Sequence, residues 1–235
     1  MRRLQSLDPK DLFTHVKFPK FGTTRWSETF PDPLNSPAHH ARVLSITSPP
    51  LIDALAVDGT QRTFCSVSSL NIKIIHRHDP ALSLTQLHGF SPTLKSLHLS
   101  FSFLATPEII GLICSFPLLE DLTLLCPLVL GQGHEERISP PTSPRLSGSL
   151  KFHIGRRVRY ITRQLLDLPN GLHFKKIAVQ MTAAEDVGFT IDLVSGCSET
   201  LESLEITGRL AGMSPLVIIP IYDSPLHCRC RPGFT

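Results

Sequence analysis

Three residues near the C-terminus, His227, Cys228 and Cys230, have side chains that could bind a metal ion. Imidazole and thiolate groups are the usual protein ligands of zinc, and structural zinc sites combine two pairs of them. No second pair stands near this one in the sequence, so we interpret the three residues as part of an irregular tail. The sequence therefore predicts no metal site.

Four arginines form a second group that could do chemistry, because guanidinium groups can bind phosphates. Arg156, Arg157, Arg159 and Arg163 fall on one predicted helix. A nucleic-acid-binding domain normally has a strongly basic overall balance, whereas the net charge of this chain is only +3. We therefore interpret the cluster as a solvated helix face and do not expect a nucleic-acid partner.

Recognisable catalytic motifs are absent from the sequence. It has no G-x-S-x-G motif, no phosphate-binding glycine loop, no H-E-x-x-H and no C-x-x-C. Since no motif assembles a nucleophile, a base or a cofactor site, we predict that the chain is not an enzyme and uses no cofactor.

The N-terminus and the cysteines indicate a compartment. The first residues lead directly into Asp8, Lys10 and Asp11 without an apolar stretch, so no signal peptide is predicted. The longest apolar run, residues 216–221, is far too short for a membrane span. Three of the six cysteines lie in apolar segments, as buried reduced thiols do. We expect a cytoplasmic or nuclear protein with no membrane contact.

A repeated apolar pattern in the sequence determines which side chains of this chain face the core and which face solvent. Triplets of the form L-x-x-L-x-L recur at a nearly constant step in the sequence, and Ser147 is the one polar member among them. The triplets are Ala41, Leu44, Ile46; Val67, Leu70, Ile72; Leu94, Leu97, Leu99; Leu119, Leu122, Leu124; Ser147, Leu150, Phe152; Phe174, Ile177, Val179; and Leu201, Leu204, Ile206.

The residues that alternate with the last two members of each triplet are mostly polar, and Val43, Leu125 and Ala178 are the apolar exceptions. Side chains alternate between the two faces of a strand. The pattern therefore predicts an α/β fold with a parallel inner sheet of about seven strands, one face on the core and the other toward solvent.

Between the triplets, apolar residues at helical spacing predict outer segments that return the chain to the next strand. Residues 127–145 are rich in proline and glycine and predict a loop insertion. The predicted helices carry three apolar sets: Ile109, Ile110, Ile113; Val158, Ile161, Leu165, Leu168; and Ala184, Val187, Ile191, Val194.

We divide the chain into three parts on this pattern. Residues 1–40 precede the first triplet and could form an N-terminal cap, which repeat arrays need to cover the end of their core. Residues 41–210 hold the array. Residues 211–235 contain four prolines, do not continue the triplet, and predict an irregular tail.

The spacing of the triplets resembles that of leucine-rich repeats, and this resemblance implies a horseshoe-shaped solenoid. Residues 91–100, 113–124, 146–152 and 166–174 look like phrases of fungal F-box and leucine-rich-repeat-like proteins. That resemblance implies a substrate-binding part of a ubiquitin-ligase adaptor, whose F-box docks on a Skp-type adaptor.

Two features depart from that family. No F-box is found, and residues 4–18 look like the stretch that follows one, so residues 1–40 could also be a remnant after an F-box. A Skp-type partner is expected only for a longer form that carries the box. The buried Asn or Cys of the common repeat is replaced by Pro49, Ile75, Ser102, Pro127, Gly155, Thr182 and Arg209.

The solvent-facing side of the predicted sheet is the candidate binding surface, because solenoids bind partners on their inner strands. Its hydroxyls and single charges suit a protein partner better than a small apolar ligand. We expect a monomer that binds a protein, and the alternative is a structural scaffold or truncated gene product without a partner. The candidate residues are Ser45, Asn71, Lys73, His98, Ser100, Thr123, Lys151, His153, Gln180 and Glu205.

Overall fold

The computed structural model describes residues 13–18, 28–32, 35–47, 64–74, 87, 90, 92–101, 106–125, 144–153, 158–181, 186–208 and 216–220. Several sequence predictions fall outside these residues. They concern the His227, Cys228 and Cys230 group, Arg156 and Arg157, Ala184, the loop 127–145 except its last two residues, and the seven positions of the absent Asn or Cys.

The described residues form an α/β fold around one open sheet of nine strands, whose spatial order follows the chain. Strands β1 to β8 are parallel, and β9 is antiparallel to β8. Their bounds are β1 His15–Phe18, β2 Val43–Ile46, β3 Ser69–Ile74, β4 Ser96–Phe101, β5 Asp121–Leu125, β6 Ser149–His153, β7 Lys176–Met181, β8 Ser203–Gly208 and β9 Leu216–Pro220.

The strand register confirms the predicted parallel sheet. The middle residues of the seven triplets are direct partners across β2 to β8, in the order Leu44, Leu70, Leu97, Leu122, Leu150, Ile177 and Leu204. All seven are buried. In-register apolar side chains share one face because side chains alternate along a strand, so this face carries the core.

The sheet extends beyond the seven predicted strands at both ends. In the region assigned to a cap, β1 places Val16 beside Leu44 and Phe18 beside Ile46, which continues the buried face. In the region expected to be irregular, β9 pairs with β8. Its Pro220 is compatible with a strand there because β9 lies at the sheet edge, where one side needs no ladder hydrogen bond.

A turn before four of the strands holds a buried residue that the triplet pattern did not single out. Ala38, Phe64, Phe90 and Phe116 recur at one constant sequence spacing and are all buried. The carbonyl of each accepts a hydrogen bond from the first residue of the next triplet, at 3.0 to 3.3 Å. We call these four residues the turn spine. Their side chains belong to the buried core, and their carbonyls hold the backbone just before each strand.

Successive strands are joined at their starts by a repeated hydrogen-bond pattern. The carbonyl of the residue that precedes one strand accepts two hydrogen bonds, at 2.7 to 3.3 Å. One comes from the N–H of the first residue of the next strand, and the other from the N–H of the residue before it. The pattern uses the carbonyls of Thr14, Arg42, Ser68, Lys95, Gly148 and Lys175. Between β5 and β6 the arrangement differs. The Glu120 carbonyl accepts from Gly148, and the Ser149 N–H donates instead to Asp121 Oδ1 at 2.6 Å.

The helices whose bounds lie within the described residues are α1 Thr106–Cys114, α2 Val158–Leu166, α3 Asp186–Gly196 and the 3-10 helix Pro37–His40. Helix α1 contacts α2, and α2 contacts α3. The predicted buried residues of α1 are confirmed, as are Ile161 and Leu165 of α2. None of these helices is long and apolar enough to cross a membrane.

Helix α3 lies where it was predicted, and Val194 of its predicted apolar set is partly buried against the core, but the prediction is wrong for Val187 and Ile191. Val187 and Ile191 are 41% and 57% exposed, whereas Thr190 and Leu193 are buried. Apolar residues occur on both sides of this helix, so spacing alone does not select a face. Burial of Thr190 is possible because its hydroxyl donates to the Asp186 carbonyl at 3.0 Å within the helix.

Candidate functional site

The side of the sheet opposite the core carries all ten candidate residues. We call this surface of β1 to β8 the polar face. Its central row runs through direct strand partners, and a second row runs parallel to it, at the next outward-facing position of each strand. The central row is Ser45, Asn71, His98, Thr123, Lys151, Ala178 and Glu205, and the second is Lys73, Ser100, Leu125, His153 and Gln180.

The sequence pattern therefore predicted the placement of these residues, and binding at this face stays a prediction. Each candidate is partly or fully exposed, as alternation with the buried triplets requires. Within the central row, the Asn71 side-chain amide donates to Ser45 Oγ at 3.2 Å. This pair occupies part of the polar surface at the β2–β3 end of the sheet.

An open depression of about 410 Å³ lies on the polar face over β6, β7 and β8. Ala178 is at its centre in the strand register, with Lys151 on one side and Glu205 on the other. The short alanine side chain leaves space that its longer neighbours surround. The sequence pattern marked Ala178 only as an apolar exception, although a small residue within a polar row is the signal for such a depression.

His98 and His153 flank Lys151, and we call them the histidine pair. Partial burial lowers the pKa of His98, and the positive charges of Lys151 and His153 lower that pKa further. Partial burial also lowers the pKa of His153, followed by the charge of Lys151. Since the ordinary histidine pKa is about 6.5, both imidazoles are mainly neutral at neutral pH.

The carboxylate of Asp121, the first residue of β5, binds Ser149 at the start of β6. Its Oδ1 atom accepts hydrogen bonds from the backbone N–H and from the hydroxyl of Ser149, each at 2.6 Å. Charge-assisted hydrogen bonds of this length are strong. The carboxylate thereby replaces the backbone carbonyl as acceptor of the second N–H group of the repeated pattern, at the point where the step between triplets is longest.

The basic cluster and possible metal ligands are the other groups that could do chemistry. Arg163 of the basic cluster is exposed, and its guanidinium carbon lies 5.8 Å from the centre of the Phe189 ring on α3. This contact holds Arg163 against the neighbouring helix. In the part of the chain that the structure describes, no group of three or more His, Cys, Asp or Glu side chains could hold a metal ion.

The packed helices and the open sheet form an α/β protein with one polar face. Comparisons with known proteins do not assign it to a family. Searches against protein-family models, curated proteins and solved structures find no match to this chain.

Proposed function

We propose that the chain is a non-catalytic protein-recognition module of the leucine-rich-repeat type, and that its polar face binds the partner. The observation that carries this proposal is the register of β2 to β8. One side chain in two is used for the core, and the others form a row over seven strands and a second row over five, made of hydroxyls, amides and charges except at Ala178 and Leu125. Such a surface supplies many hydrogen-bonding groups on a sheet whose other face is packed, as a protein interface requires.

The form of this surface favours a protein over a small molecule. The depression over Ala178 is open to solvent and lined in part by Lys151, Gln180 and Glu205, whereas pockets for small ligands are mostly apolar and enclose the ligand. A partner that covers several strands can bury the depression together with both rows. The rigid sheet backbone limits the entropy that the polar face loses when the partner binds.

Site-specific photocrosslinking tests this proposal. A photoreactive amino acid replaces Gln180 on the polar face in one variant and Asp192, exposed on α3, in a matched control. We expect a discrete protein adduct from position 180 in cell extract, suppressed by excess unlabelled chain, and no such adduct from position 192. Equal adducts from both positions, or none from position 180, would contradict a binding role for the polar face and favour a scaffold without a partner.

A narrower proposal is that these repeats hold the target of an F-box-type ubiquitin-ligase adaptor. Its support is the resemblance of residues 91–100 and 113–124 to such proteins. Analytical size-exclusion chromatography of the chain with a purified Skp-type adaptor tests it. Co-elution would support the ligase role, whereas separate elution would leave a recognition module without that role for this chain.

A further inference from the structure

We propose that the region of the polar face around Lys151 binds carboxylate side chains of an acidic segment in the protein partner, and that the histidine pair strengthens this binding as the pH falls. This partner chemistry rests on the proposed function, because it concerns the same surface.

The geometry makes Lys151 the centre of this region. His98 lies in the same row two strands away, and His153 lies at the next outward-facing position of the same strand. With strands about 4.8 Å apart and a rise of about 3.3 Å per residue, these positions are roughly 10 Å and 7 Å from Lys151 along the sheet. The depression over Ala178 adjoins Lys151 on its other side, so a carboxylate can approach the ammonium group without a clash.

The charges of this region favour an anion. Its acidic groups are Asp121 and Glu205, and Asp121 already accepts two hydrogen bonds from Ser149. Glu205 lies across the depression from Lys151, so an acidic group is repelled there and is directed to the Lys151 side. The basic groups nearby on the polar face are Lys73, Lys151 and Lys176, together with the histidine pair.

A bound carboxylate reverses the effect of Lys151 on the histidine pair. In the free protein, burial and the lysine charge lower both histidine pKa values, so the imidazoles are mainly neutral. A carboxylate favours the charged imidazolium, so binding takes up protons and its affinity increases as the pH falls below about 6.5. The polar and charged groups around the pair on the polar face, from β3 to β8, are Asn71, Lys73, Asp121, Thr123, Lys151, Lys176, Gln180 and Glu205.

Fluorescence anisotropy with a dye-labelled peptide of alternating Glu and Ser tests the proposal, with a peptide of alternating Gln and Ser as the neutral control. The acidic peptide should bind more tightly, and its affinity should be higher at about pH 5.5 than at about pH 8, since glutamate stays largely ionised at both values. Lys151→Gln should weaken its binding by roughly three- to tenfold, because Lys151 is exposed and water weakens its charge-assisted hydrogen bond.

Lys17→Gln is the matched control, because Lys17 is exposed in the same row on β1, roughly 24 Å from Lys151 at five strand spacings. It should leave the affinity unchanged. Replacing the histidine pair, as His98→Gln with His153→Gln, should abolish the increase in affinity at low pH. Thermal melts of each variant check that the sheet is intact.

Three results would overturn the proposal. The acidic peptide could fail to bind, or bind no more tightly than the neutral peptide. The two lysine substitutions could weaken binding equally, or a single-stranded oligonucleotide could bind more tightly than the acidic peptide. If any of these occurs while the adduct from position 180 persists, the acidic partner is excluded and the proposed recognition function remains. Loss of that adduct would exclude both.

Discussion

Gly148, the residue immediately before β6, is the position where the structure predicts the sharpest effect of adding one methyl group. A Cβ atom there would lie 2.5 Å from Asp121 Oδ1 and 3.0 Å from the Glu120 carbonyl oxygen. The first contact is too short for any side chain to keep, so Gly148→Ala must displace the carboxylate of Asp121. The displacement breaks the two hydrogen bonds from Ser149, each 2.6 Å long.

The expected loss of stability follows from these two hydrogen bonds. A hydrogen bond to a charged group contributes about 1.5–3 kcal/mol, and partial exposure of Asp121 and Ser149 places each at or slightly below the lower end, since water can replace part of the interaction. Losing both removes about 2–3 kcal/mol. Alanine returns roughly 0.5–1 kcal/mol by restricting the unfolded chain. We therefore expect Gly148→Ala to lower the free energy of unfolding by about 1–2.5 kcal/mol.

Urea denaturation followed by circular dichroism measures this change, and a double-mutant cycle isolates its cause. In an Asp121→Ala background the nearest atom is gone and only the carbonyl contact remains, so the same substitution should have an effect below about 1 kcal/mol. Gly188→Ala on α3 is the matched control, because its added Cβ meets nothing within 4 Å. It should stabilise the chain by roughly 0.5–1 kcal/mol.

An unchanged midpoint for Gly148→Ala would refute this reasoning. So would the same loss of stability in both backgrounds, because the effect would then have no connection with the Asp121 carboxylate. Destabilisation by Gly188→Ala would show that alanine is unfavourable for a reason other than the contacts of its Cβ atom.

Three further predictions concern the core, the polar face and the thiols. Phe116→Ala in the turn spine should lower the free energy of unfolding by about 3–5 kcal/mol, whereas Leu118→Ala, at a side chain 49% exposed, should lower it by less than about 1 kcal/mol. Similar values for the two variants in urea denaturation would contradict the burial of the turn spine in the core. The histidine pair has lowered pKa values in the folded state, so the unfolded chain binds more protons below about pH 6.5, and the melting temperature should fall as the pH falls there. A variant with both histidines replaced by glutamine should show a smaller fall, and an equal fall would contradict the contribution of the histidines to this pH dependence. Burial raises the pKa of Cys114 to about 11, so at about pH 8 iodoacetamide should alkylate exposed Cys65 at least tenfold faster in peptide mapping; equal rates would contradict the burial of Cys114.

The parallel sheet could be predicted because its signals are local and repeated. Alternation within a strand, as at Leu97 and Leu99 around His98, assigns each side chain to one of two faces. A nearly constant step to the next triplet then makes Leu122 the partner of Leu97, since equivalent turns stack in register. The membership of the polar face follows from the same alternation, which is why all ten candidate residues lie on it.

The properties of the candidate site depend on neighbours that alternation does not specify. The depression exists because Ala178 stands between the longer side chains of Lys151 and Glu205, each a full repeat away in the sequence. The lowered pKa values of the histidine pair require both burial and a nearby lysine. The register predicted these partners, but the space and the electrostatics between them arise only from side chains packed together.

By itself, the sequence determined the period of the strands, the division into a packed face and a polar face, and the presence of helices in the connecting segments. Only the tertiary structure decided which side of α3 is buried, where the turn spine packs, and how Asp121 completes the start of β6. The physical reason is that periodicity reports the two faces of one element. The choice between similar faces, and the partner of a carboxylate or a glycine, depends on atoms that belong to another turn of the chain.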